Sequence, residues 1–181
     1  ISGRTQSVMW TVLGGLKDSS VDCSSPAEVL AVARDWSAAC RGKVPWYAVV
    51  YEKGSPQTHL LIGVGADRVP VYFADGDERH ARSVGDVTRR PPTPARAPFR
   101  APEGWKYTGD DDPVYQQLTA YMKEGFAELM NESEDDVTFR FQGEWEHPDS
   151  SELVPDDQAL AALAEFLVTG RQPSNLTWED I

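Results

Sequence analysis

The sequence predicts an α+β fold: a mostly antiparallel sheet (a meander) with helices packed on one face, plus an inserted Pro/Arg loop and helix. Three observations carry that reading. The elements run β, α, a series of β, α, β, α, without the strict alternation of a doubly wound or barrel fold. Three strand-like runs, 46–52, 58–64 and 69–74, are joined by short turn-rich gaps, as antiparallel neighbours require. At 181 residues and 40% hydrophobic, the chain has material for one compact core. One domain over residues 1–181, interrupted by an insertion at about 89–136, is therefore expected.

The first strand is read from Gln6 to Leu13, ending in the turn Gly14-Gly15. Arg4 and the stretch 7–16 faintly imitate a secretory leader, but Thr11 and the glycine pair interrupt the apolar run. Ser25-Pro26-Ala27-Glu28 is a helix start, with a capping Ser, Pro at the first helical position and Glu at the third. Val29, Val32, Ala33 and Trp36 then recur on one face, and Gly42 ends the element. The strands Trp46–Glu52, Thr58–Val64 and Val69–Ala74 follow. Asp75-Gly76 signals a hairpin into a strand at Arg79–Val84, closed by Gly85-Asp86.

Residues 89–102 hold five prolines and four arginines, a composition that favours extended chain over a packed strand. Asp110-Asp111-Asp112-Pro113 opens a helix, with carboxylates at the positive end of its dipole. Tyr115, Leu118, Met122, Phe126 and Leu129 form its apolar stripe. A single strand is expected at Val137–Trp145. The last helix opens at Pro155-Asp156-Asp157, lines one face with Leu160, Leu163, Phe166 and Leu167, and stops at Gly170 before Pro173. Leu176-Thr177-Trp178 returns to the body.

Composition limits function. Seventeen Lys and Arg stand against 29 Asp and Glu, a net charge of −12, so a direct nucleic-acid or anionic-membrane binder is not expected. The charge is lopsided: residues 1–100 carry 13 basic and 10 acidic residues (+3), and residues 101–181 carry 4 and 19 (−15). No apolar run reaches the roughly 18 to 20 residues of a membrane span. Two cysteines, Cys23 and Cys40, make no metal motif or disulfide scaffold, which points to a reducing cytoplasm and leaves open whether they pair. The sequons at Asn131 and Asn175 need a secretory route that nothing else supports.

No catalytic set emerges from the spacing. Asp75-Gly76-Asp77 reads as a turn rather than a cation site, and Gly63-Val64-Gly65 lacks the third glycine and the helix of a phosphate cradle. His59, His80 and His147 are scattered, so neither metal nor cofactor is expected. Glu144 and Glu146, two apart on a strand, project to one side about 7 Å apart. They could serve a small hydrolase only if Asp75 or Asp77 converged on them. What remains is acidity near aromatics: Asp110, Asp111 and Asp112, Glu134, Asp135 and Asp136, and Glu144-Trp145-Glu146. Charge alone fits either a solvated face with helix capping or a surface for a basic partner.

The tail from Phe141-Gln142-Gly143-Glu144-Trp145-Glu146-His147-Pro148 through Leu153-Val154-Pro155, Glu165-Phe166-Leu167-Val168-Thr169-Gly170, Pro173 and Trp178 resembles the Imm1 family of bacterial immunity proteins. Upstream, Leu60–Gly65, Val71-Tyr72-Phe73, Asp75-Gly76-Asp77 and Ser83–Asp86 resemble that family's central hairpin. The resemblance spans roughly residues 44–88 and 137–181, and the chain departs from the pattern in carrying 89–136 between the blocks. It implies a non-enzymatic cytoplasmic protein that binds and occludes a cognate toxin, commonly a zinc-dependent nucleic-acid cytidine deaminase. Such a toxin needs a basic groove, which an acidic inhibitor can occupy. On that implication the three acidic clusters named above, with Trp145, become the expected contact residues. A carboxylate-using hydrolase and an acidic adaptor for a nuclease or another basic protein are the rival readings.

Overall fold

The computed structural model describes residues 8–15, 19–76, 79–89, 97–131 and 138–181. The chain divides into two compact units, residues 1–90 with 136–181, and residues 91–135. The larger unit is built on a nine-stranded sheet. In chain order its elements are β1 (Trp10–Leu13), β2 (Ser20–Cys23), α1 (Pro26–Cys40), β3 (Trp46–Glu52), β4 (Thr58–Val64), β5 (Arg68–Val69), β6 (Val71–Asp75) and β7 (Arg79–Val84). The smaller unit contributes α2 (Pro113–Asn131), and the larger resumes with β8 (Phe139–Phe141), β9 (Glu144–Glu146), β10 (Val154–Pro155), α3 (Asp156–Thr169) and β11 (Thr177–Asp180). The main sheet runs β11-β7-β6-β4-β3-β1-β2, all antiparallel; β8 adds a parallel contact to β3 and pairs with β9. This is the α+β, mostly antiparallel architecture that the element order predicts.

Strand periodicity divides the sheet into two faces. Register aligns Val12, Val50, Leu60, Phe73 and Ala81 across five strands, and all five are buried. Against this row lie α1, through Val29 and Ala33, and α3, through Ala159, Ala162, Leu163, Phe166 and Leu167. Phe166 anchors α3 by edge contacts to Trp10 and Phe73, at ring separations of 5.8 and 6.3 Å. The opposite row, Val49, Leu61, Tyr72, Arg82 and Glu179, is only half-buried.

The caps follow from local chemistry, with one shift. Ser25 accepts from the Glu28 N–H as a helix-capping Ser should, but the Glu28 carboxylate reaches back to Ser24 N and Oγ, one residue earlier than the reciprocal cap expected. Gly170 ends α3 in the left-handed conformation.

Three other expectations are corrected, and one strand is new. The run 69–74 is two strands, because Pro70 has no N–H for the ladder: Val69 pairs with Val154 in a separate two-stranded ribbon while Val71 onward joins β4. The run 137–145 is a hairpin, because Gln142 and Gly143 both take positive φ, 50° and 90°, and turn the chain where alternation suggested continuity. The edge strand β2, with three exposed residues in four, lacked the alternation that would reveal it. In α2, Met122 is 64% exposed, so the stripe is not buried along its length; the side chains of Phe126 and Leu129 lie outside the described residues. Cys23 and Cys40 are buried free thiols, and burial pushes the pKa of both up, away from reactive thiolates.

Candidate partner-binding surface

The expected contact residues separate on inspection. Asp110, Asp111 and Asp112 belong to the smaller unit, and Glu144, Trp145 and Glu146 to the larger; Glu134, Asp135 and Asp136 lie outside the described residues, as does Asp77.

Asp112 serves its own unit. It is 7% exposed, and one carboxylate oxygen caps α2 by accepting from Val114 N–H (2.9 Å) and Tyr115 N–H (3.4 Å). The other accepts from the Trp105 indole (3.0 Å) and the Thr108 hydroxyl (3.0 Å). Burial opposes its charge, but these donors outweigh burial and hold the carboxyl below the usual carboxylate range. Asp110 and Asp111 are exposed, and Asp110 accepts from the Tyr107 hydroxyl at 2.6 Å.

The tip of the larger unit's hairpin has a different construction. Across β8 and β9, Phe139 stands opposite Glu146, Arg140 opposite Trp145, and Phe141 opposite Glu144. Cross-strand partners share a face, so Arg140 and Trp145 occupy one side of the hairpin and the two Phe and two Glu the other. Arg140 lies 5.6 Å from the centre of the Trp145 ring, which is 54% exposed.

On the phenylalanine side, Phe139 packs over Gly63, where a Cβ would come within 2.6 Å of its ring, and stands 5.1 Å from the Tyr47 ring. Tyr47, Leu61, Tyr72, Phe141 and Glu146 line a depression of about 160 Å³. Its floor is braced from behind. Glu152, 6% exposed, accepts from the Tyr72 hydroxyl at 2.6 Å and from Arg82 Nη1 at 2.7 Å, and Arg82 reaches Glu179 through Nε (2.9 Å) and Nη2 (2.8 Å). Burial pushes both phenol pKa values upward, with neighbouring Glu146 and Glu152 adding to the rise at Tyr47 and Glu152 to that at Tyr72, so both rings stay neutral.

Tyr47, Tyr72, Phe141, Arg82 and Glu152 did not stand out in sequence. They come from four separated strands and a short 3₁₀ turn at Ser150–Glu152, and only strand register brings them together. The one available signal was aromatic residues on the strand positions that alternate with the buried row.

Among the described residues, the carboxylates required for a hydrolase do not converge. Glu146 borders the tyrosine-lined depression, whereas Asp75 borders a different one with Arg79, His80, Asp180 and Ile181. Among the described residues no cluster of three His, Cys, Asp or Glu could hold a metal ion, and no helix is long and apolar enough to cross a membrane.

A family model described as immunity protein Imm1 matches residues 128–180, a span that contains the hairpin, the Glu152 turn, α3 and β11. No curated protein matches the chain. The upstream hairpin resemblance lies outside the matched span. The likeness to the Imm1 family of immunity proteins rests on residues 128–180, which carry Trp145, Glu146 and Glu152.

Proposed function

We propose that this protein neutralises a zinc-dependent nucleic-acid cytidine deaminase toxin by covering its active site with an acidic surface, in the cytoplasm of the cell that makes both. The match of residues 128–180 to the immunity family carries the reading. The net charge of −12 supports the choice of toxin class, because a deaminase must present a basic groove to a nucleic-acid backbone. An anionic protein surface competes for that groove and gains association rate from long-range attraction. No covalent chemistry is asked of the immunity protein. The residues proposed for contact are Asp110, Asp111, Glu144, Trp145 and Glu146, with Glu134, Asp135 and Asp136 retained on charge alone. In this reading residues 91–135 are an insertion within a single Imm1-like domain, adding a second acidic element to the family's core.

The purified protein, mixed in slight excess with the toxin encoded beside it, is expected to co-elute and to suppress deamination of a single-stranded DNA substrate. Failure of both sinks the proposal; co-elution with a toxin that cleaves nucleic acid would keep the immunity role and replace the deaminase.

A further inference from the structure

The depression on the sheet face away from α1 and α3 combines two kinds of wall. Tyr47, Tyr72 and Phe141 contribute aromatic rings, with Tyr47 and Tyr72 centred 6.1 Å apart, and Leu61 contributes an aliphatic side. The exposed carboxylate of Glu146 stands at its rim. Aromatic faces are the negative ends of the ring quadrupoles, and a cation within about 6 Å of a ring centre is attracted to them. A carboxylate beside such rings supplies the full countercharge and a hydrogen-bond acceptor.

Two positive groups among the described residues face other partners. Arg82 is held between Glu152 and Glu179, and Arg140 stands with Trp145 on the other side of the hairpin. Arg82 is thus flanked by two carboxylates, of Glu152 and Glu179, while Glu146 borders the depression with no ion pair among the described residues. The Tyr72 hydroxyl donates to Glu152 and so is turned away from competing for Glu146.

We infer that this depression receives one cationic side chain, Lys or Arg, from the protein partner, with Glu146 pairing the charge and Tyr47, Tyr72 and Phe141 holding it. The partner's identity rests on the immunity reading above; the chemistry of the receptor does not. A basic toxin groove offers such side chains, and a seated cation would convert diffuse charge attraction into a fixed docking register.

Butylguanidinium and tetramethylammonium ions, with uncharged 3,3-dimethylbutan-1-ol as comparison, can be titrated into the full chain at constant ionic strength and followed by NMR. Saturable shifts confined to Tyr47, Leu61, Tyr72 and Phe141, stronger for the cations, are expected. Glu146→Gln should weaken cation binding at least threefold, while Glu52→Gln, an exposed carboxylate at the end of β3 and outside the depression, should leave it unchanged. Tyr72→Phe keeps the ring but not its bond to Glu152 and should weaken binding only in part, whereas Tyr72→Leu should lose it. Equal shifts from the alcohol, or no difference between the two Glu variants, overturns the inference. With the neighbouring toxin, Glu146→Gln should reduce affinity about tenfold. Cation binding without toxin binding retains the receptor and rejects the immunity reading; toxin inhibition undiminished in Glu146→Gln retains immunity and rejects the receptor.

Discussion

The two faces of the sheet bury different chemistry from the same strands. One aligns Val12, Val50, Leu60, Phe73 and Ala81 beneath two helices, with no polar atom among the side chains. The other aligns Val49, Leu61, Tyr72, Arg82 and Glu179, and hydrogen-bonds the buried carboxylate of Glu152 to a tyrosine. Burial on the first face is non-directional and scales with apolar area; on the second, order comes from directional bonds between charged and polar groups. A face assembled by directional bonds keeps Tyr72 in a defined place while leaving it half-buried, which is what recognition of a partner needs.

The largest break in this comparison should come from Phe166→Ala. Phe166 touches Trp10 and Phe73 and is 1% exposed, so the substitution removes buried apolar surface and leaves a cavity between α3 and the sheet. A loss of about 3–5 kcal/mol is expected in urea denaturation, without any selective effect on the tyrosine-lined depression. A loss below about 1 kcal/mol would mean that α3 is not held chiefly through this ring.

Glu152→Ala should be the next largest, at about 2–3 kcal/mol by the same measurement, since it leaves the Tyr72 hydroxyl and a partly buried guanidinium without their shared acceptor. Its signature differs from that of Phe166→Ala: toxin affinity should fall by more than stability accounts for, because Tyr72 is released. Equal toxin affinity in folded Glu152→Ala would separate the brace from the binding surface.

The contrast between faces also explains what was legible in the sequence. Amphipathic periodicity found the buried row and both of its helices, because those residues repeat at the spacing of their own elements. The boundaries of β3, β4 and β7 were readable for the same reason, with Gly and Pro marking the turns. The other face was not readable, because its set of Tyr47, Tyr72, Arg82, Phe141 and Glu152 is joined by register across residues more than ninety positions apart. Acidic clusters were visible as composition, but composition could not tell that Asp112 caps a helix while Glu146 borders a depression.

The smallest effect concerns protons and vanishes near neutrality. Tyr47 and Tyr72 have pKa values raised in the fold by burial, above the value of about 10 for a free phenol. A raised folded pKa means that the unfolded chain gives up the proton first, so the contribution of these phenols is fully present below pH 10 and is lost as pH climbs beyond it. These two should therefore stay un-ionised past pH 10 in an alkaline absorbance titration, appearing only as the protein unfolds. Tyr72→Phe should remove one late-titrating group and leave the folded structure in place. If instead Tyr47 and Tyr72 ionise near pH 10 with the fold intact, the tyrosine face is wet and mobile, and the difference between the two faces would be one of residue type without one of order.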